Sequence, residues 1–346
     1  MSLGFKRKLR TAALLLFVFA VVGLLIYSRI VAYSLAPTLK PADFSGLAWY
    51  EIPFYYLWDY VSHGWICLLF AFTAAGLVYE FMPKDLIMRY MGSNRITGYL
   101  IASGLAPLLT VCSCTMVPFF AGILYTGAGI GPAITFLLMA PAANVLTILL
   151  TGEFLSWDIA AVRVVASLTT ALAAGVIVSK TSWGKSVENE RHVDAVAGQR
   201  GTVELAKPPL DERLIAALKF GVYLATQILP YFIAGLIIVG YVTAYMPESI
   251  VEGYLTGWAG VLIASIIGGP LYTPTLVEVV VGRSLLQLGM SRAALLSWLM
   301  GQPYDIANMT AVSKITGWKV VVTYALTAWS CSVILSLLYG VLTGSL

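Results

Sequence analysis

Long apolar runs separated by short polar joints set the pattern of this chain. Runs at residues 11–27, 55–81, 96–125, 133–151, 159–178, 214–241, 261–281, 293–309 and 320–339 reach or approach the roughly 20 residues that a helix needs to cross a bilayer core. Only helices and closed barrels pair every backbone group in lipid, so the pattern predicts an all-α polytopic membrane protein with about 7–9 transmembrane segments. The first run follows Lys6, Arg7, Lys8 and Arg10 and continues past Arg29 without a small-residue cleavage site, which reads as an uncleaved anchor helix.

The few charges then suggest a topology, because basic joints stay on the cytoplasmic side. The N-terminal cluster is expected inside and residues 35–51 outside. The joint 82–95, with Lys84, Arg89 and Arg95, falls inside again. Residues 180–213 form the long polar segment, with Lys185, Arg191, Arg200 and Lys207 among acids, and read as a cytoplasmic linker. The expected organisation is an N-terminal anchor helix and external loop (1–54), a first membrane repeat (55–179), the linker (180–213) and a second repeat (214–346). Three apolar runs lie between two inside joints, yet the number of crossings there must be even. At least one segment should therefore enter and leave on the same face. The simplest arrangement makes 133–151 and 293–309 re-entrant; the alternative turns the chain back at Cys112–Cys114 and Pro274-Thr275.

The two halves resemble each other. Leu100-Ile101-Ala102-Ser103 recurs as Leu262-Ile263-Ala264-Ser265, and at the same offset Gly127 matches Gly289 and Pro141 matches Pro303. With small gaps, Met82-Pro83 matches Met246-Pro247, Asn144 matches Asn308, and Trp157 matches Trp318. Charge inverts between partners. The joint 82–95 is basic while 246–258 holds Glu248 and Glu252; 152–158 holds Glu153 and Asp158 while 314–319 holds Lys314 and Lys319. Inverted repeats with interrupted helices are a recurring plan of secondary transporters, and channels share it.

Composition removes the competing classes. Hydrophobic residues make up 59% and charged residues 11% of the 346, whereas a soluble domain carries roughly 25% charged residues. A water-facing surface cannot be built from so few charges, so a soluble enzyme is excluded and no enzymatic activity is expected. The net charge of +4 comes without a basic aromatic patch, so no nucleic-acid partner is expected. Four Cys and two His are too few for a disulfide framework or a closed zinc site. No P-loop is present, so this chain encodes no ATPase subunit, and no cofactor is expected. The partners expected are the bilayer and a small-molecule solute; self-association into a homo-oligomer is left open.

Helix breaks mark the candidate site, since irregular backbone in a membrane is tolerated only against protein or a water-lined cavity. They fall at Pro107–Pro118 around Cys112-Ser113-Cys114-Thr115, at Gly127–Pro132 followed by Pro141–Asn144, at Gly268–Thr275, and at Gly301–Asn308. In an extended break Cys112 and Cys114 share a side, which suits a soft solute or metalloid, with membrane cysteines as simple packing the alternative. Ser113, Thr115, Asn144, Thr275 and Asn308 are the candidate polar contacts. Glu278 and Asp305 are candidates for carrying a coupling proton, because acids within a span are costly. Arg283 could instead neutralise Glu278, and Asp305 lies inside its break. Cys67 and Cys331 read as packing residues, and His63 and Arg163 as lying near interfaces.

At these motifs the sequence resembles the ArsP-type permease family. The resemblance is carried by Pro107, Cys112-Ser113-Cys114-Thr115 and Pro118, by Gly127 and the run Gly131–Leu138, and by Ala140-Pro141-Ala142-Ala143-Asn144. It covers roughly residues 55–340. It implies a plasma-membrane permease, with relatives that export trivalent organoarsenicals such as methylarsenite. Pro274-Thr275 stands where many members carry a second Cys-Ser. A channel-like facilitator, or a transporter of a divalent metal or another small solute, is the alternative function.

Overall fold

The structure, a computed structural model, describes residues 3–35, 46–109, 113–200, 209–245, 255–269, 275–301 and 304–346. Among them are fifteen α-helices and no strand. The chain is an all-α polytopic membrane protein. Segments Lys8–Ser28, Gly64–Phe81, Ile130–Phe154, Trp157–Lys180, Leu210–Tyr241 and Trp318–Thr343 are long and apolar enough to cross a bilayer.

Helix α1 (Leu3–Leu35) packs on α2 (Ile52–Phe81) and on α10 (Leu210–Ala244), and most of its apolar surface faces outward. Helices α2 and α10 pack closely because glycines let the backbones meet. A Cβ at Gly76 would fall 2.1 Å from the Ala217 carbonyl oxygen, and one at Gly221 would fall 2.5 Å from that of Phe72. Small residues at such crossings are how membrane helices gain dispersion contact. The short α3 (Lys84–Tyr90) follows α2.

Helices α4 (Ile96–Leu105) and α5 (Ser113–Tyr125) have 10 and 13 residues. At 1.5 Å per residue they measure about 15 and 20 Å, too short for a core of about 30 Å. Their outer ends also meet: the Gly129 N–H donates to the Met91 carbonyl at 2.7 Å, and the Gly131 N–H to Ser93 Oγ at 3.0 Å. The chain thus enters and leaves on one face, turning back between α4 and α5. Helices α11 (Gly257–Gly268) and α12 (Thr275–Gln287) repeat the figure, where Ser291 N–H donates to the Leu255 carbonyl at 3.0 Å. The two hairpins end in the same turn. Gly127 and Gly289 adopt φ of 95° and 98°, a region open to glycine, and close matching Schellman bonds. Gly127 N–H donates to Leu124 O and Gly289 N–H to Leu286 O, at 3.0 and 3.1 Å.

The re-entrant segments are therefore those of the CSC and Thr-Pro breaks. Residues 133–151 and 293–309, expected as re-entrant in the simplest arrangement, instead belong to broken crossings. Helices α6 (Ile130–Ala142) and α7 (Val145–Phe154) make one, a 25-residue span with a break at Ala143-Asn144. Every residue of α6 is buried, which places it at the centre of the molecule. Helices α13 (Arg292–Leu299) and α14 (Ile306–Thr316) make the other. Each broken span is followed by a long helix, α8 (Trp157–Lys180) and α15 (Trp318–Thr343), and these two pack on each other.

Contacts at the two ends fix the orientation. On the near face, Arg10 pairs with Asp211 and Arg213 with Glu80 at 3.1 Å. The polar linker helix α9 (Ser182–Arg200) lies there too. Its Glu188 accepts from Ser93 Oγ and from the Ile130 N–H, and its Arg191 donates to the Ile315 carbonyl. On the far face, Asp158 meets Arg292 at 3.4 Å and the Tyr339 hydroxyl at 2.8 Å. The first hairpin enters from the near face and the second from the far face, so the repeats are inverted.

Candidate functional site

Hairpins of 15–20 Å inserted from opposite faces bring their tips near the bilayer midplane. Each hairpin packs on the broken span of its own half and touches that of the other: α5 lies against α14, and α12 against α7. At the second tip the backbones nearly touch. A Cβ at Gly301 would fall 2.6 Å from Gly268 C, and one at Gly269 would fall 2.3 Å from the Tyr304 ring.

The first break is capped by Asn144. Its Oδ1 accepts from the Thr147 N–H at 2.9 Å and its Nδ2 donates to the Ala140 carbonyl at 3.3 Å. Both ends of this amide serve the backbone, so Asn144 acts as a helix cap. Beside it stands Arg163 of α8, fully buried. Arg163 Nε donates to the freed Ala142 carbonyl at 2.8 Å, Nη1 to Thr151 Oγ1 at 3.1 Å, and Nη2 to Glu278 Oε1 and Oε2 at 2.9 and 3.2 Å. Glu278 lies on α12, so this ion pair joins the second hairpin to the first half. Arg163 thus lies inside the protein, not near an interface, and it is the group that neutralises Glu278. Arg283 instead stands near the Phe154 ring, 5.9 Å from its centroid.

The second break is capped by Asp305. Its Oδ1 accepts from the Asn308 N–H at 2.8 Å and its Oδ2 from Asn308 Nδ2 at 2.5 Å. The structural counterpart of Asn144 is therefore Asp305, not Asn308 as the sequence match implied. Asp305 is fully buried and Asn308 nearly so, and among the described residues no cation reaches Asp305. Asn308 Oδ1 and the Tyr324 hydroxyl are buried without a hydrogen-bond partner. Tyr324 lies on α15, which packs on α14.

Of the expected thiols, Cys112 lies outside the described residues. Ser113 and Cys114 open α5 and Thr275 opens α12, but their side chains fall outside the described set. Thr115, next along α5, is fully buried, and Met116 shares a buried cluster with Tyr304 and Tyr324. Helix α5 also packs on α14, the helix that Asp305 caps. Cys67 is buried in the core and Cys331 is half-buried. The His63 side chain is outside the described set. No three His, Cys, Asp or Glu side chains gather as metal ligands among the described residues. Sequence reasoning put Arg163 near an interface and passed over Tyr304 and Tyr324. For Arg163 the signal was present, a guanidinium within an apolar run.

The sequence matches the family described as "Predicted permease" (ArsP_1) over residues 54–341. The chain belongs to the ArsP_1 family. It is 30% identical to UPF0718 protein MJ0584 of Methanocaldococcus jannaschii, over 81% of this chain and 91% of that protein. UPF0718 protein YraQ of Escherichia coli K12 is 23% identical over 69% of this chain and 66% of its own. No solved structure matches. Membership of ArsP_1, with the apolar helices of the fold, makes the protein a multi-pass membrane permease. It also gives the convergence of hairpin tips and broken spans a setting, since irregular backbone at mid-membrane is where permeases bind their cargo.

Proposed function

We propose that this ArsP_1 permease is a secondary transporter of the cell membrane that exports a small thiophilic solute, with trivalent organoarsenicals such as methylarsenite as the model cargo. The observation that carries this reading is the pair of oppositely inserted hairpins converging on two broken spans, a geometry that recurs in alternating-access transporters. Cys112 and Cys114, in the sequence between α4 and the first turn of α5, supply soft donors. Ser113, Thr115, Thr275 and Asn308 supply polar contacts. Glu278 is already held by Arg163, which leaves Asp305 as the acid that exchanges a proton against the solute. The near face, with the basic joints, α9 and the N-terminus, is the cytoplasmic one.

Proteoliposomes loaded with methylarsenite, arsenite or divalent metals, with and without a pH gradient, test this. Methylarsenite flux that follows the gradient and disappears in Cys112→Ser/Cys114→Ser is expected. Full flux in that double variant removes the thiol site. Flux indifferent to any ion gradient makes the protein a channel-like facilitator, and flux of divalent metals alone reassigns the cargo.

A further inference from the structure

The halves share a scaffold, so a difference in charge between equivalent positions is informative. Asn144 and Asp305 occupy the same place, the N-cap of the helix that resumes after the break, and each accepts a backbone N–H with the same geometry. The neutral amide of Asn144 shows that capping this helix needs no charge. The carboxylate of Asp305 is therefore surplus to capping, and it is sealed from water. A buried charge persists only when paired or neutralised.

The surroundings differ in the complementary sense. At the first break the Arg163 guanidinium is resident and binds the freed Ala142 carbonyl and Glu278. At the second, no described cation takes the equivalent place. The helices packed on α14 bring Tyr324 from α15 and the neutral, buried Thr115 and Met116 from α5; Tyr56 and Asp59 on α2 are the further titratable groups on this side. Helix α10 contributes no charged residue after Lys219. Lys314 lies nine residues further along α14, about 13 Å away along the axis. Two buried oxygens near Asp305, Asn308 Oδ1 and the Tyr324 hydroxyl, have no partner. Asn308 Oδ1 can only accept, because its Nδ2 is committed to the carboxylate.

We propose that the N-cap of α14 is an exchangeable monovalent-cation site, taking a proton or Na⁺ on the Asp305 carboxylate with Asn308 Oδ1 and the Tyr324 hydroxyl as further oxygen ligands. The first break is its permanently filled twin, with the Arg163 guanidinium as resident cation. The inference rests on the secondary-transport reading and deepens it by giving the coupling ion a location and a ligand set.

The test uses the purified full chain in lipid nanodiscs, without solute, so that it reads the ion site independently of cargo. Radiolabelled Na⁺ binding and the infrared band of protonated carboxyl groups are followed from acid to alkaline pH. If the ion is Na⁺, saturable binding is lost in Asp305→Asn and weakened roughly fivefold in Tyr324→Phe, about the worth of one hydrogen bond. If it is a proton, Na⁺ does not bind, and a titrating carboxyl band vanishes in Asp305→Asn. That variant should fold, because Asn caps the equivalent helix in the first half. An unaltered protein that shows neither saturable Na⁺ binding nor a titrating buried carboxyl overturns the proposal. So does a signal that survives unchanged in Asp305→Asn. Failure of methylarsenite transport alongside an intact ion signal would sink the cargo assignment alone.

Discussion

Replacing Glu278 by Gln tests the most costly arrangement in the molecule. The substitution keeps shape and one acceptor but leaves the Arg163 guanidinium fully buried without a counter-charge. Removing one partner of a buried ion pair costs about 3–5 kcal/mol, because the survivor keeps its desolvation penalty. Unfolding entropy of about 2.1 cal/mol/K per residue over the 346 residues means that 1 kcal/mol moves the melting midpoint by roughly 1.4 °C. The single variant should therefore melt about 4–7 °C lower. Helices that persist in a micelle reduce the unfolding entropy, so this is a lower bound. The double variant Arg163→Met/Glu278→Leu removes both charges. The Thr151 hydroxyl keeps its bond to the Thr147 carbonyl, and the chief loss is the orphaned Ala142 carbonyl, about 1–3 kcal/mol. It should melt only about 1–4 °C below the parent. The assay is thermal unfolding of detergent-purified protein followed by size-exclusion of the surviving fraction. A Glu278→Gln variant as stable as the parent, or a double variant no better than the single, would refute the resident-cation account.

Two further predictions concern the repeat itself. Gly289→Ala meets nothing within 4 Å of the added Cβ, so its cost is the left-handed backbone alone, about 1–2 kcal/mol. Gly127→Ala should cost at least as much in the same melting assay, and a neutral effect at either site would remove the shared turn. In a background cleared of native cysteines, Cys introduced at Leu288 and at Lys185 should react with impermeant maleimide from opposite faces of oriented vesicles. Labelling of both from one face contradicts the inverted arrangement.

Much of this fold was legible in the charges and the breaks. The sign change between joint 82–95 and its partner anticipated the inversion, and the Gly127–Gly289 match anticipated a shared turn. Hydropathy misled where direction mattered. The run 96–125 is long enough to count as a crossing, yet Pro107 and the residues after it turn the chain back. The run 133–151 looked short because its ends are counted by polarity, although Ile130–Phe154 continues through a break and crosses. Apolar length records how much chain lies in lipid; it does not record which way the chain is going. That information sat in the pairing of Gly129 with Met91 and of Ser291 with Leu255, contacts between residues far apart in sequence.

The site was legible to a lesser degree, for the same reason. Asp305, Glu278 and Asn144 were visible because polar groups beside Pro and Gly in an apolar run are expensive. The partner of Glu278 was not visible, since the nearest cation in sequence is Arg283 while the one that binds it lies 115 positions away. Chemical likeness misled at the caps as well. Asn144 was matched to Asn308 by identity, but in the second half Asp305 takes the capping place while Asn308 folds back onto it. The register correction carries functional weight. An Asn-to-Asn match would make the breaks alike and leave no reason for an acid in either. Aligning Asn144 with Asp305 shows one scaffold carrying a fixed cation at one break and a lone carboxylate at the other. Two equal breaks would give a transported ion two stations of equal standing. On the proposed reading, Arg163 fills one station and leaves the other, at Asp305, as the place where a cation comes and goes.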